Sequence, residues 1–117
     1  MTVLLVSLGG IVGVVCRYTL LSYLPLASFG VILMINAVGS FIMGWCFKDI
    51  GGIYLWPLIA IGFCGAFTTF STYSLDTIRF FMDDQIWMGV GYVLVSNGVA
   101  IGMCALGVVL RKVLLSV

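Results

Sequence analysis

Four long apolar segments constrain this chain more than any other feature. They run from about Val3 to Leu24, Ser28 to Phe47, Ile53 to Met82 and Ile86 to Leu110. Each is close to or above the roughly 20 residues with which a helix crosses a bilayer. Lipid offers no partners to backbone N–H and C=O groups, so such segments must be helical. The sequence predicts an all-α integral membrane protein, residues 1–117, with four transmembrane helices in a single domain.

Breaks between the segments follow ordinary turn chemistry. Pro25 ends the first helix, and a Lys-Asp-Ile-Gly-Gly linker at 48–52 separates the second from the third. Asp83-Asp84-Gln85 forms a charged loop, and Arg111-Lys112 is expected to close the fourth span at a membrane interface.

The charge content excludes several classes of function. Only 8% of the residues are charged, the net charge is +1 and there is no histidine. A nucleic-acid surface needs a basic patch, which this chain lacks. Four acidic residues without a histidine also make a poor basis for catalysis, so we predict that the protein is not an enzyme. The four cysteines are far apart and are interpreted as buried thiols.

The third segment contains an unusual polar stretch. Between Gly62 and Ser74, six hydroxyl-bearing residues occupy the seven positions 68–74. Hydroxyls can satisfy backbone groups freed by a helix break or replace water around a passing solute, and they can equally hold two helices together. We predict that the third helix is broken in mid-membrane, near Phe67 to Ser71.

Two polar side chains stand out in the first two spans. Arg17 either extends to a headgroup or attracts an anion into a vestibule. Asn36, with Ser40 on the same helical face, either makes an interhelical hydrogen bond or donates to a solute in a pore.

The fourth span carries a polar line of its own. Tyr92 and Ser96 are four residues apart and share a face, whereas Asn97 is turned by about 100° and is interpreted as structural. Across the spans, donors outnumber carboxylates, since only Asp76 lies in a span, near its end. Such a lining favours a small anion over a cation.

Assembly is suggested by small residues and weak charge bias. The loop charges favour neither orientation strongly, so insertion in both directions is an open possibility. Small-xxx-small frames indicate a tight bundle, and four short spans enclose too little space for a pathway without a partner copy. The frames are Gly9/Gly13, Ser40/Gly44 and Gly98/Gly102.

Three ordered motifs resemble the Fluc (CrcB) family of fluoride channels and together span essentially the whole chain. They are Gly-Gly-Ile-Val-Gly-Val-Val-Cys-Arg-Tyr at 9–18, Asn-Ala-Val-Gly-Ser-Phe-Ile-Met-Gly at 36–44 and Gly-Phe-Cys-Gly-Ala-Phe-Thr-Thr-Phe-Ser-Thr-Tyr-Ser at 62–74. The resemblance implies an antiparallel dual-topology dimer with two fluoride pores in the cell inner (plasma) membrane. It implies passive export of fluoride from the cytoplasm.

The resemblance also implies roles for individual residues. Gly65 and Thr68 match positions whose backbone carbonyls hold a structural sodium ion (Na+) at the dimer interface, and Arg17 matches a vestibule arginine. The implied fluoride-pore residues are Asn36, Phe70, Ser71, Thr72, Tyr73, Tyr92 and Ser96.

One position departs from the family pattern. Tyr73 stands where the family usually has phenylalanine, which leaves open a heterodimer with a paired homologous subunit. Two alternatives to a channel are a small multidrug-type exporter subunit and a structural membrane assembly subunit. The exporter class uses an acid in its first span, where this chain has Arg17.

Overall fold

The computed structural model describes residues 1–47 and 52–115. Within them, four helical segments are long and apolar enough to cross a membrane: Thr2–Tyr23, Ser28–Cys46, Gly52–Met82 and Ile86–Leu115. We call them the first, second, third and fourth spans. The predicted all-α, four-span architecture is confirmed. The linker predicted at 48–52 lies mostly outside the described residues, and Gly52 begins the third span with a φ of +65°.

The third span is divided, as the sequence predicts. Its first half comprises Gly52–Leu55, a π-helical stretch Trp56–Cys64 and a last turn Gly65–Phe67. Thr68 and Thr69 are extended, with ψ values of 155° and 122°, and the second half then runs as an α-helix, Phe70–Met82. Thr68–Thr69 is called the break below.

Glycines allow the spans to approach closely in two pairs. The first span packs on the first half of the third, where a Cβ at Gly9 would overlap the carbonyl oxygen of Leu58. The second span packs on the fourth, where a Cβ at Gly44 would overlap the carbonyl oxygen of Cys104. These contacts confirm the tight packing expected of the first two small-residue frames.

The third small-residue frame does not make the expected contact within the chain. A Cβ at Gly98 or Gly102 would meet nothing within 4 Å. Gly107, one and a half turns further on, lies against the backbone of Phe41 and Trp45 instead. The second and fourth spans approach each other toward the carboxyl end of each helix. The close contact therefore falls beyond the predicted Gly98/Gly102 frame.

The carboxyl end of the fourth span also differs from the prediction. The helix continues to Leu115, so Arg111 and Lys112 lie inside it and do not terminate it. The Arg111 side chain is buried and its Nη1 donates to the carbonyl oxygen of Trp45 at 2.6 Å. This carbonyl is in the last turn of the second span, where a cation is favourable.

Candidate functional site

Asn36 makes two hydrogen bonds to the backbone of the break in the third span. Its Nδ2 donates to the carbonyl oxygen of Thr69 at 3.0 Å, and its Oδ1 accepts from the Thr69 backbone N–H at 2.9 Å. In a continuous helix, that N–H would donate to Gly65. A single amide therefore accepts from the Thr69 N–H that the break releases, which an apolar interior otherwise leaves unpaired at substantial cost, and adds a second bond to the carbonyl that begins the next helical half.

Thr69 also begins the second half of the third span. Its hydroxyl accepts from the Thr72 backbone N–H at 3.3 Å, as an N-cap does. The same hydroxyl donates to Thr72 Oγ1 at 3.2 Å and lies 3.4 Å from Ser71 Oγ. Part of the hydroxyl-rich stretch is thus occupied in building the helix start.

A cavity of about 220 Å³ opens beside the break. It lies between the second span, the break, the second half of the third span and the fourth span. Its lining consists of Asn36, Ser40, Thr68, Thr69, Phe70, Tyr73, Ser96, Asn97 and Ala100.

One amide proton of the cavity lining remains available to a ligand. An amide NH2 has two protons, and Asn36 gives only one of them to Thr69. The Ser96 hydroxyl is buried beside the hydroxyl of Tyr92. None of the lining residues in the described part of the chain is acidic. A lining of neutral donors without a carboxylate suits a small anion.

Aromatic rings extend from one side of the cavity. Phe70 and Tyr73 have ring centroids 5.3 Å apart, and Tyr73 and Tyr92 are 5.2 Å apart. Tyr92 is buried, and its hydroxyl lies beside that of Ser96. Phe80 meets Tyr92 edge-on at 5.8 Å. Ring edges carry partial positive charge, so this row offers further weak contacts to an anion.

A smaller cavity of about 140 Å³ lies at the far end of the aromatic row, where Phe80 contributes to its wall. Asp76, only 5% exposed, accepts from Ser28 Oγ at 3.2 Å and from Arg79 Nη1 at 3.4 Å. The Arg79 guanidinium is largely exposed, so it compensates the buried carboxylate from the outer side.

Arg17 reaches the break from the first span. Its Nη1 donates to the carbonyl oxygen of Thr68 at 3.3 Å. Arg17 does not line the 220 Å³ cavity. Gly65, one turn before the break, is exposed and its Cβ position is open.

Comparison with known proteins identifies the family. The family described as "CrcB-like protein, Camphor Resistance (CrcB)" matches residues 4–108. This chain belongs to the CrcB family. Fluoride-specific ion channel FluC of Shewanella pealeana is 40% identical over 90% of this chain and 91% of its own length. FluC of Hahella chejuensis is 33% identical over 94% of each chain, and FluC 1 of Carboxydothermus hydrogenoformans is 38% identical over 80% of this chain and 79% of its own.

Membership of the CrcB family confirms the resemblance seen in the three motifs. With its four spans, the chain is a multi-pass membrane protein. The relatives are named as ion channels, and an ion channel catalyses no reaction.

The predicted pore residues are only partly brought together. Asn36, Phe70, Tyr73 and Ser96 line the cavity, and the Tyr92 ring packs against that of Tyr73. Ser71 and Thr72 bond to Thr69 and do not line the cavity.

Asn97 was expected on a different face from Ser96 and to be structural, and Ser96 is indeed buried whereas Asn97 is exposed. Both nevertheless line the cavity, because a cavity of this width covers more of the helix surface than the 100° between consecutive residues. No sequence signal marks Asn97, because its partner is Tyr73, 24 positions away. Ser40 and Thr69 also line the cavity. The only sequence signals for them were their positions, four residues after Asn36 and directly before Phe70.

Proposed function

We propose that this chain is a subunit of a fluoride channel that passively exports fluoride from the cytoplasm across the cell inner membrane. The observation that carries this proposal is the cavity at the break, whose lining has an unused N–H on Asn36 and, among the described residues, no acid. The relatives are named as fluoride-specific ion channels, which supports the same ion for this chain.

Fluoride suits this lining for a physical reason. The ion is small and strongly hydrated, so a selective pathway must replace its water with well-placed donors. The second N–H of Asn36 and the hydroxyl of Ser96 provide such donors. The ring edges of Phe70, Tyr73 and Tyr92 continue the pathway toward the smaller cavity.

The other two candidate functions are not favoured. An exporter of the small multidrug type needs an acid in its first span, and the only charge there is Arg17. In a purely structural subunit, polar side chains would be paired across helix contacts. Asn36 instead keeps a second N–H, beyond the one given to Thr69, at the wall of a cavity.

The channel is proposed to assemble as an antiparallel dimer with two pores, formed with a second copy or with a paired homologous subunit. Phe70 lines the cavity, yet 75% of its surface is exposed in the single chain. A partner seated against this face would complete the cavity wall. An inverted partner is compatible with the weak charge bias of the loops.

A structural sodium ion is proposed where the two breaks meet in the dimer. The carbonyl of Gly65 is released from its regular helical partner, since the Thr69 N–H donates to Asn36. The carbonyl of Thr68 accepts from Arg17, but a carbonyl oxygen has two lone pairs and one is left. Uncharged oxygen ligands without a nearby acid suit a monovalent cation, so these groups fit sodium. Bound there, the ion would supply positive charge that holds the two breaks together.

Fluoride efflux from liposomes containing the purified protein tests the proposed function. We expect rapid fluoride release and negligible chloride release. Ser96→Ala removes a cavity donor and should slow fluoride release. Ser74→Ala is the matched control, because the Ser74 hydroxyl donates to the Phe70 carbonyl and does not line the cavity. Fluoride release no faster than from protein-free liposomes would overturn the proposal.

A further inference from the structure

The amide of Asn97 has both its protons engaged within the protein. Nδ2 donates to the Val93 carbonyl oxygen at 2.8 Å and to the Tyr73 hydroxyl oxygen at 3.0 Å. A carbonyl can only accept, so the Val93 contact requires Nδ2, and not Oδ1, on this side of the amide. Although Asn97 lines the cavity, it therefore has no N–H left for an anion.

The Tyr73 hydroxyl keeps its own proton. A phenol has one donor and can also accept, and here the oxygen accepts from Asn97. No group among the described residues accepts the hydroxyl proton in return. The ring itself is fixed, since Tyr73 is 8% exposed and packs against Ile32 and Tyr92.

These contacts restrict where the proton can point. A phenol O–H lies close to the plane of its ring, so the proton has two favoured positions. The incoming N–H of Asn97 repels a proton directed toward it and leaves the other position. Donation by the amide also polarises the hydroxyl and makes it a better donor, because hydrogen bonds in a chain strengthen one another.

We propose that the Tyr73 hydroxyl is a fluoride-binding group and that Asn97 is the positioning residue that presents its proton. The inference rests on the proposed fluoride pathway and adds one ligand to it. Phenylalanine at position 73 would offer only a weakly positive ring edge. An O–H···F⁻ contact is a charge-assisted hydrogen bond, roughly twice as strong as a neutral one. This chain therefore holds fluoride more tightly at the cavity than a phenylalanine variant would.

A purely structural role for the pair makes different predictions. If the Asn97–Tyr73 bond only ties the fourth span to the third, removing either partner weakens the fold and leaves fluoride affinity unchanged. If the bond presents a ligand, Asn97 matters to fluoride only while the Tyr73 hydroxyl is present. The two roles are separated by measuring fluoride affinity in a double-mutant cycle.

The first measurement is the fluoride concentration that gives half-maximal flux in liposomes. In Tyr73→Phe, the loss of one charge-assisted hydrogen bond should raise this half-maximal concentration about tenfold. Maximal flux should not fall, because bound fluoride is released faster. Asn97→Leu should raise the half-maximal fluoride concentration about threefold in the parent, and should not change it in the Tyr73→Phe background. Tyr23→Phe, which removes an exposed hydroxyl at the end of the first span, is the matched control and should match the parent.

The second measurement does not depend on transport. Fluoride bound to a tyrosine hydroxyl changes the ultraviolet absorption of that ring, so the purified protein should give a fluoride-minus-chloride difference spectrum. The difference should be lost in Tyr73→Phe and kept in Tyr23→Phe. A parent that shows this signal but passes no fluoride would refute the channel and leave the binding group standing. Fluoride flux with no spectral difference, or an equal effect of Asn97→Leu in both backgrounds, would overturn the inference.

Discussion

The guanidinium of Arg17 donates a hydrogen bond to the carbonyl oxygen of Thr68, with 3.3 Å between Nη1 and O. This contact joins the first span to the break in the third. It also places a fixed positive charge beside one of the two carbonyls proposed to hold sodium. The charge and the ion repel each other, so Arg17 lowers the sodium affinity of the site while helping to hold the break in place.

Replacing Arg17 by glutamine should strengthen sodium binding. At an effective dielectric constant of about 20, two unit charges roughly 6 Å apart repel by about 3 kcal/mol, and partial relief should lower the sodium midpoint roughly tenfold. Thermal stability of the purified protein, measured against sodium with a bulky organic cation as replacement, gives the midpoint. Arg17→Lys keeps the charge and should behave as the parent. If the thermal stability of the parent protein does not depend on sodium, the proposed sodium site is wrong.

Asn36 should contribute more to stability than Asn97. Asn36→Leu leaves the Thr69 N–H unpaired, at about 1–3 kcal/mol, and removes a second bond to the Thr69 carbonyl worth about 1 kcal/mol, so we expect a loss of about 2–4 kcal/mol. Asn97→Leu removes bonds to a hydroxyl and to a carbonyl of its own helix, and should cost about 1 kcal/mol. Denaturant unfolding in detergent compares the two, and equal losses would show that Asn36 does not hold the break.

The spans and the break could be predicted because their signals are local in sequence. Apolar length alone indicates four crossings. The cluster of hydroxyls between Thr68 and Ser74 indicates a break, and the structure places it at Thr68–Thr69. Hydroxyl-rich composition did not reveal that Ser71 and Thr72 bond to Thr69 and leave the cavity to other residues.

Contacts between distant positions could not be predicted in the same way. Asn36 was expected either to bond another helix or to donate to a solute, and it is placed to do both because an amide has two protons. The partner of Arg111 depends on where the fourth span crosses the second, which no spacing encodes. The same crossing selects Gly107 over Gly98 for close packing.

Close packing of the second and fourth spans should make Gly44 intolerant of a side chain. A Cβ at Gly44 would overlap the backbone of Cys104, which cannot rotate away, so Gly44→Ala should destabilise by at least about 2 kcal/mol. Gly30→Ala lies on the same helix with nothing within 4 Å and should be neutral or stabilising by up to about 1 kcal/mol. Unfolding of the two variants, compared in one detergent, checks the difference.

The proposed antiparallel assembly predicts that chain ends are found on both sides of the membrane. A tag at the carboxyl end should be accessible to an impermeant reagent from either side in roughly equal amounts. Cells expressing this chain alone are the appropriate test. If every copy has one orientation and no paired subunit is present, the dual-topology dimer is wrong.

Phe70 should act on fluoride and contribute little to packing. The ring lines the cavity and lies 5.3 Å from Tyr73, but 75% of its surface is exposed in the single chain. Phe70→Ile keeps the position apolar and close in volume, so the chain should fold with a loss below about 1.5 kcal/mol. It removes an aromatic ring, with its electropositive edge, from the cavity lining.

We therefore expect Phe70→Ile to purify in the same oligomeric state as the parent and to pass fluoride at least about tenfold more slowly, a loss of about 1.4 kcal/mol or more along the pathway. Phe47→Ile is the matched control, since it makes the same change at an exposed ring at the end of the second span, away from the cavity. Liposome flux and size-exclusion profiles of both variants decide the matter. Near-normal flux in a well-folded Phe70→Ile protein would assign Phe70 to packing and leave the hydroxyl and amide donors as the only ligands of the ion.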